Sequence, residues 1–161
     1  MSPWKCNRRI IFGVTGGIAA YKAPDILRGW RKQDCEVDVI LTRSAEEFVS
    51  PLVLSTLTGR KVWRERDFLS AEEGWKIPHI TLTERAEVFV IAPCTANVLR
   101  MCAQGDGSTL LGAAMLANRS PLVIFPAMNP NMLQNPAVRA NIETIRKMGH
   151  KVVDPDSGML A

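Results

Sequence analysis

The 161-residue chain is predicted to form an α/β fold with a doubly wound parallel sheet. Short apolar, β-prone segments alternate about five times with segments whose apolar residues recur at helical spacing. This alternation is typical of a parallel sheet with helices on both faces. Three predicted strands also end in small and polar residues, at positions 15–18, 93–97 and 126–129. Because parallel strands place their carboxyl ends at one edge, we expect a single ligand site built from these loops.

Length and composition indicate one globular domain over residues 1–161. Hydrophobic residues make up 47% and charged residues 22%, which is ordinary for a globular protein. The sequence has no apolar run of about 18 residues, so we expect no membrane span. Its first six residues lack the apolar core of a signal peptide, so a cytoplasmic location is expected.

Charge and cysteine usage exclude several classes of partner. The net charge of +4 comes from dispersed basic residues, which argues against nucleic acid and suits an anionic small molecule such as a phosphate ester. The four cysteines form no CxxC pair, and the chain has only two histidines. We therefore expect reduced thiols and no metal site.

The first strand is predicted at residues 10–14 and is followed by Thr15-Gly16-Gly17 and a helix over residues 18–30. Glycines let a backbone approach a ligand closely, and the N-terminus of a helix offers N–H groups to an anion. The spacing matches neither the dinucleotide fingerprint GxGxxG nor a Walker A loop. The turn alone therefore indicates a ligand without identifying it.

The second strand, over residues 37–42, ends in Thr42-Arg43-Ser44. Ser44 is predicted to cap the next helix, over residues 45–57, with Glu47 completing a capping box. Pro51 is expected to interrupt or restart that helix. Two interpretations of Thr42 and Ser44 stay open, a capping role only or hydroxyls placed beside the glycine turn for a ligand.

Residues 60–77 form the least regular segment and carry Trp63, Phe68 and Trp75. We interpret this segment as an excursion between core elements and a candidate contact surface. Its basic cluster at 60–66 is expected to be a solvated face, with a phosphate contact as the alternative. His79 then precedes the apolar start of a helix, where a lone histidine is more often structural than catalytic.

A further strand is predicted at residues 88–92, ending at Pro93. The following Cys94 fits a buried small residue better than a nucleophile, because no histidine is adjacent to it in sequence. The remaining predicted elements are helices over 98–103, 110–116 and 138–148 and strands over 122–125 and 151–153.

The residues after the strand at 122–125 are bracketed by Pro126 and Pro130. Proline lacks an N–H and fixes φ, so neither residue suits a central strand or a helix interior. The segment is therefore predicted to be a rigid loop at the ligand edge of the sheet. A proline-rich connector without function is the alternative.

Four motifs, in this order, resemble the homo-oligomeric flavin-containing cysteine decarboxylases over nearly the whole chain. They are Val14-Thr15-Gly16-Gly17-Ile18-Ala19-Ala20-Tyr21-Lys22, Pro78-His79-Ile80-Thr81-Leu82, Ala92-Pro93-Cys94-Thr95-Ala96-Asn97 and Pro126-Ala127-Met128-Asn129-x-x-Met132. The resemblance implies a three-layer, Rossmann-like (flavodoxin-like) sheet. It also implies bound FMN and a homo-oligomer, either a trimer or a dodecamer, with sites at subunit interfaces.

The resemblance also implies a role for individual residues. His79 matches the family's active-site histidine, and Asn129 matches the asparagine that binds the substrate carboxylate, with Met128 and Met132 shaping the pocket. The residues implied in FMN binding are Gly16, Gly17, Ile18, Thr42, Ser44, Cys94, Thr95, Ala96, Asn97 and Ala127. An amide holds a carboxylate without neutralising it strongly, which suits a reaction that must release CO₂.

Within the family, the chain is most similar to the branch that decarboxylates 4′-phosphopantothenoylcysteine in coenzyme A biosynthesis. The turn Asp154-Pro155-Asp156-Ser157-Gly158 resembles that branch too. Two alternatives stay open, an enzyme that decarboxylates the C-terminal cysteine of a peptide to an enethiol and a flavin-binding regulatory subunit without catalysis. The joint presence of His79 and Asn129 favours an enzyme.

The sequence departs from the family at three places. Leu133 stands where many members have an aromatic residue, and Ser108-Thr109 replaces a usually acidic pair. The family's decarboxylase branch continues past Ala161 into a cysteine-containing substrate clamp. We expect the chain to be truncated before this clamp. If the protein lacks the clamp, the expected product is the oxidised enethiol.

Overall fold

The computed structural model describes residues 7–70 and 77–155. Within these ranges six strands form one parallel sheet: β1 (Arg9–Val14), β2 (Glu36–Leu41), β3 (Val62–Arg64), β4 (Val88–Cys94), β5 (Leu122–Pro126) and β6 (Lys151–Val152). The α-helices are α1 (Ala23–Arg31), α2 (Pro51–Thr58), α3 (Pro78–Arg85), α4 (Ala96–Gln104), α5 (Leu110–Ala117), α6 (Pro130–Gln134) and α7 (Pro136–Lys147). Three 3₁₀ helices cover Ile18–Lys22, Arg43–Glu47 and Glu65–Asp67.

The strand order β3-β2-β1-β4-β5-β6 confirms the predicted doubly wound sheet. The chain adds strands outwards from β1 on one side and then, from β4, on the other. The direction of winding therefore changes between β1 and β4. In open α/β sheets, ligands bind in the crevice beyond the carboxyl ends of the strands at this switch point.

Alternate residues of the strands face two separate cores, which gives three layers. One core packs strand residues such as Ile11 and Phe89 against α3, α4, α5 and α7. The other packs residues such as Phe12 and Val39 against α1 and α2. None of the helices in residues 7–70 and 77–155 is long and apolar enough to cross a bilayer.

The helix predicted over residues 18–30 is divided in two. A 3₁₀ helix covers Ile18–Lys22, and α1 begins only at Ala23, with Pro24 in its first turn. Proline at this position lacks an N–H that the first turn leaves unpaired anyway, so it favours a helix start there. The prediction of one continuous helix was wrong, and the N-terminus of the α-helix does not lie at the glycine turn.

The segment after β2 also differs from its prediction. Thr42, not Ser44, is the N-cap, since Thr42 Oγ1 accepts a hydrogen bond from the Ala45 N–H at 3.3 Å. The helix begins again at Pro51, as expected, with Ser50 as its N-cap. The predicted Ser44–Glu47 capping box was wrong because the helical turn begins two residues earlier than predicted, at Arg43.

The irregular segment contains an edge strand that sequence reasoning missed. β3 is only three residues long, too short to show an alternating pattern. The basic residues around it make ion pairs within the chain: Arg60 with Asp38, Lys61 with Asp67 and Arg64 with Glu46. Charged side chains along a short edge strand protect it from pairing with other chains. Trp75 lies outside the described residues.

The prolines at the strand ends belong to strands and a helix rather than to the loops between them. β4 continues through Pro93 to Cys94, and Pro126 is the last residue of β5, where Cys94 and Pro126 pair after a register shift. Pro130 is the first residue of α6. Only Ala127, Met128 and Asn129 therefore form a loop, which is shorter than the rigid loop predicted there.

We predict that two glycine-to-alanine substitutions, both inside helices, have opposite effects on stability. A Cβ at Gly112 of α5 would overlap the Asp106 carbonyl oxygen and lie 3.1 Å from Met101 Cε, whereas a Cβ at Gly29 of α1 meets nothing within 4 Å. Gly112→Ala should lower the free energy of unfolding by about 1–3 kcal/mol through overpacking. Gly29→Ala should raise it by up to about 1 kcal/mol through helix propensity. Urea unfolding of both variants checks this, and equal effects would contradict it.

Candidate functional site

The hydroxyl group of Thr15 joins the ends of β1 and β4 at the switch point. Thr15 Oγ1 donates a hydrogen bond to the Pro93 carbonyl at 2.7 Å and accepts one from the Thr95 N–H at 3.0 Å. Thr15 is 1% exposed, so its bond to Pro93 is buried, and the bond from Thr95 is partly buried. This side chain therefore fixes the glycine turn relative to the loop at 93–97.

Two further contacts bring the other strand ends into the same place. The Ala127 N–H donates to the Cys94 carbonyl at 3.0 Å, which ties the loop after β5 to the end of β4. On the other side, a Cβ at Gly16 would overlap the Ser44 side chain and lie 2.8 Å from its carbonyl carbon. Only glycine permits this approach between the first turn and the end of β2.

Two adjoining cavities open along these loops. The first, which we call the Asn129 cavity, has a volume of about 380 Å³ and is lined by Gly16, Gly17, Ile18, Ala19, Thr95, Ala96, Ala127, Met128, Asn129, Pro130 and Met132. The second, the Ser44 cavity, has about 810 Å³ and is lined by Gly16, Thr42, Arg43, Ser44, Glu47, Glu65, Thr95, Ala96, Asn97, Val98, Met101, Thr109, Leu111 and Met132. Four residues line both, so a single elongated ligand can occupy the two.

Most of the predicted site residues lie on these cavity walls. Twelve of them line at least one of the two cavities: Gly16, Gly17, Ile18, Thr42, Ser44, Thr95, Ala96, Asn97, Ala127, Met128, Asn129 and Met132. The other two, Cys94 and His79, line neither cavity among the residues the structure describes. The tertiary structure thus assembles the three predicted loops, and the end of β2, around one site.

Cys94 presents its backbone rather than its thiol. The side chain is fully buried, and burial raises the pKa of the thiol well above its ordinary value. Burial also raises the pKa of Cys102 to about 11. The thiolate is the nucleophilic form of cysteine, so a thiol held protonated in an apolar core is inert.

Asn129 is positioned by the helix that follows it. Its side chain is the N-cap of α6, where Oδ1 accepts a hydrogen bond from the Asn131 N–H at 2.8 Å. This bond identifies Oδ1 as the acceptor and leaves the two N–H groups of Nδ2 as donors. The cap therefore orients a hydrogen-bond donor for an anionic ligand on the wall of the Asn129 cavity.

His79 lies in the first turn of α3 and packs edge-on against Phe68, with ring centroids 5.6 Å apart. Its Nδ1 atom is buried and has no hydrogen-bond partner in residues 7–70 and 77–155. Burial lowers the pKa of His79, so its imidazole is neutral at neutral pH. A neutral imidazole can accept a proton.

Charge is distributed unequally between the two cavities. The described residues of the Asn129 cavity include no charged side chain, whereas Arg43, Glu47 and Glu65 line the Ser44 cavity. Glu65 accepts a hydrogen bond from the Leu110 N–H at the start of α5, at 3.2 Å. Sequence reasoning missed Thr15, Arg43 and Glu65. A hydroxyl residue at the end of a strand, directly before a glycine pair, is the signal that could have indicated Thr15.

In the described part of the chain, His, Cys, Asp and Glu residues form no group of three or more that could hold a metal ion. The described lining of the two cavities consists of glycine backbone, hydroxyl and amide groups, apolar side chains, one arginine and two glutamates. Cavities of about 300–1,000 Å³ with mostly apolar walls and a few polar groups are typical of small-molecule and cofactor sites.

Comparison with known sequences identifies relatives of two lengths. A model of the family described as Flavoprotein matches residues 3–161. The coenzyme A biosynthesis bifunctional protein CoaBC of Vibrio vulnificus is 35% identical over 152 residues, which cover 94% of this chain and 37% of that protein. A probable phosphopantothenoylcysteine decarboxylase of Streptococcus mutans is 34% identical over 157 residues, covering 96% of this chain and 87% of that protein. The chain thus spans little more than a third of the bifunctional relatives.

Solved structures share the fold over most of the chain. The FMN-dependent cysteine decarboxylase SpaF superposes with a TM-score of 0.87 at 31% identity, covering 94% of this chain and 86% of that one. A C175S mutant of a PPC decarboxylase, in complex with pantothenoylaminoethenethiol, superposes with a TM-score of 0.84 at 29% identity, covering 96% and 86%.

We predict that the hydroxyl of Thr15 contributes more to stability than its methyl group. Thr15→Val keeps the shape but leaves the Pro93 carbonyl and the Thr95 N–H without their partner, and should lower the free energy of unfolding by about 2–3 kcal/mol. Thr15→Ser keeps the hydroxyl and should cost only about 1 kcal/mol for the lost methyl group. Denaturant unfolding measures both. If the valine variant proved the more stable of the two, the bridging role of this hydroxyl would be refuted.

Proposed function

Because this chain belongs to the Flavoprotein family, we propose that it binds FMN and catalyses the oxidative decarboxylation of the cysteine moiety of 4′-phosphopantothenoylcysteine. This reaction belongs to coenzyme A biosynthesis, as the names of the relatives indicate for those proteins. A cytoplasmic location and a small phosphorylated cysteine conjugate as substrate are parts of the proposal.

One observation carries the proposal: the loops predicted to bind FMN and the asparagine predicted to bind the substrate carboxylate line two cavities that share four residues. Gly16, Thr95, Ala96 and Met132 form the shared wall. A cofactor held along this wall would lie beside a substrate held at Asn129. The residues present fit an elongated ligand with apolar and polar ends.

Asn129 is suited to a carboxylate that must be lost as CO₂. Its Nδ2 can donate hydrogen bonds to the carboxylate, and the residues described around it add no positive charge. A salt bridge would stabilise the carboxylate in the ground state and raise the barrier to its loss. A neutral donor holds the group in place with a smaller penalty.

When bound, FMN would supply the two-electron oxidation of the cysteine moiety, and the protein would supply binding and orientation. Gly16, Gly17 and Ile18, with the end of β2 at Thr42 and Ser44 and the loop at Thr95, Ala96 and Asn97, would hold it, with Ala127 beside it. His79, neutral because burial lowers its pKa, would move a proton near the reacting thiol.

The separation of His79 from both cavities supports a site completed by a second subunit. The chain would form a homo-oligomer, a trimer or a dodecamer, in which His79 of one subunit reaches the Asn129 cavity of the next. Ile77 and Ile80, beside His79, are 52% and 37% exposed. Apolar side chains exposed in this way suit a contact between subunits.

Decarboxylation of a peptide that ends in cysteine is the second candidate. The peptidyl-cysteine decarboxylase EpiD supports it, because that structure superposes with a TM-score of 0.80 at 25% identity, covering 92% of this chain and 87% of that one. Both reactions place a cysteine-derived carboxylate at Asn129, and they differ in what is attached to the cysteine nitrogen.

We predict that Asn129→Asp abolishes turnover without unfolding the protein or releasing FMN. The aspartate can still accept the hydrogen bond that caps α6, but it lacks the Nδ2 donors and repels the substrate carboxylate. The purified wild type should be yellow, reduce its flavin anaerobically and release CO₂ from phosphopantothenoylcysteine. Stopped-flow absorbance and CO₂ detection measure this.

Asn135→Asp is the matched control. Asn135 caps α7 through the same contact, Oδ1 to the Ala137 N–H at 2.9 Å, and lines neither cavity. This variant should keep wild-type turnover. A colourless protein that takes up no FMN would refute the proposal, and turnover only with a peptide ending in cysteine would select the second candidate. Bound FMN without turnover of either substrate would indicate a flavin-binding regulatory subunit.

We predict that two inactive variants complement each other. In an oligomer with shared sites, a His79→Gln subunit can supply Asn129 to a site whose histidine comes from an Asn129→Asp subunit. Random mixing should restore about a quarter of the sites, and about a third in trimers that carry both tags, because each site draws its two residues from two chains. Co-expression with two affinity tags, tandem purification and a turnover assay measure this. Restoration to no more than the sum of the single variants would refute a shared site.

A further inference from the structure

Arg43 differs from three other arginines near the ends of the strands. Arg60, Arg64 and Arg100 each pair with a carboxylate of the chain. The Arg43 side chain makes no ion pair or hydrogen bond with any residue in 7–70 and 77–155. Its neighbour Glu46 is bound by Arg64, which is the main cause of the lowered pKa of Glu46, and the charge of Arg43 adds a smaller effect. Arg43 is exposed, and it stands on the wall of the Ser44 cavity.

The surroundings of Arg43 suit an oxyanion. It lies between Thr42 and Ser44, whose hydroxyl oxygens are 3.3 Å apart and both line the same cavity. Gly16 comes close enough to Ser44 that a Cβ would not fit between them, so the glycine turn borders the same spot. Hydroxyl donors beside a guanidinium are the groups that proteins use to bind phosphate.

The charged residues of the two cavities indicate which cavity holds the ring system of the proposed cofactor and which holds its phosphate. FMN has an uncharged ring system at one end and a phosphate at the other. The residues described around the Asn129 cavity carry no charge and include Met128 and Met132, which suits the ring system. The described lining of the Ser44 cavity has Arg43 as its only cation, so the phosphate end belongs there.

Two glutamates, Glu47 and Glu65, line the same cavity, and their negative charges oppose the binding of a phosphate there. The Glu65 carboxylate accepts a hydrogen bond from the Leu110 N–H at the start of α5, and this bond stabilises the negative charge of the carboxylate. Glu47 lies at the other end of the 3₁₀ helix that begins with Arg43. Arg43 is the charged residue that adjoins both Thr42 and Ser44 in sequence, whereas Glu47 follows Ser44 by three residues.

We infer that Arg43 binds the phosphate of FMN and makes this site select FMN over riboflavin, its unphosphorylated form. The inference rests on the proposed flavin site and adds to it the residue that sets cofactor specificity. An arginine in this role provides two parallel donors to phosphate oxygens. Its removal should therefore weaken FMN binding and leave riboflavin binding unchanged.

The test uses the full chain stripped of bound flavin and titrated with FMN or riboflavin, with quenching of flavin fluorescence as the signal. In Arg43→Gln, the Kd for FMN should rise about ten-fold or more, as expected for the loss of a charged hydrogen bond, while the Kd for riboflavin stays the same. Arg43→Lys should restore part of the FMN affinity. The salt dependence of FMN binding should be weaker in Arg43→Gln than in the wild type.

Arg31→Gln is the matched control, since it removes the same charge from an exposed position of α1 that lines neither cavity. It should leave the Kd for FMN and the Kd for riboflavin unchanged. An unchanged Kd for FMN in Arg43→Gln would overturn the inference and leave the proposed function intact. An equal loss of FMN and riboflavin affinity would overturn it too, by giving Arg43 a structural role. A wild type that binds neither flavin would overturn both proposals.

Discussion

The site depends on one buried hydroxyl group. Thr15 Oγ1 both donates and accepts a hydrogen bond between the ends of β1 and β4, where the winding of the sheet changes direction. The backbone groups it satisfies lie at the end of the sheet, beyond the paired residues of β1 and β4. An unsatisfied buried polar group costs more than the hydrogen bond itself contributes, so this bridge constrains the loops on both sides. The glycine turn and the loop at 93–97 are thereby held at a fixed separation.

The loop after β5 is constrained from both ends. The Ala127 N–H is bound to the Cys94 carbonyl, and the Asn129 side chain caps α6, so only three residues lie between β5 and the helix. Proline at the last position of the strand and at the first position of the helix limits the backbone further. A side-chain amide held in this way needs little reorganisation to meet a ligand. Preorganised donors of this kind are more effective than mobile ones.

The two cavities divide polar and apolar functions between them. Hydroxyl groups and the charged residues line the side near β2, and methionine, alanine and amide groups line the side near α6. The buried thiols of Cys94 and Cys102 remain outside this division, because their raised pKa values keep them protonated. His79 lies apart from it, packed on Phe68 in the first turn of α3. A single chain therefore presents a binding site and a separate imidazole.

The sequence alone determined the doubly wound sheet, five of the six described strands and the three loops at its carboxyl edge, because apolar periodicity and glycine or proline breaks are local signals. It did not reveal β3, α6 or the break of the first helix at Pro24. A three-residue strand has no readable pattern, and proline is compatible with a helix start as well as with a loop. The motif resemblance named twelve residues that line the cavities, but no local pattern could show that Thr15 bridges two strands. Local sequence patterns also could not show that His79 lies away from Asn129. Those relations depend on distances between residues far apart in sequence, and only the packing of the sheet and its helices sets such distances.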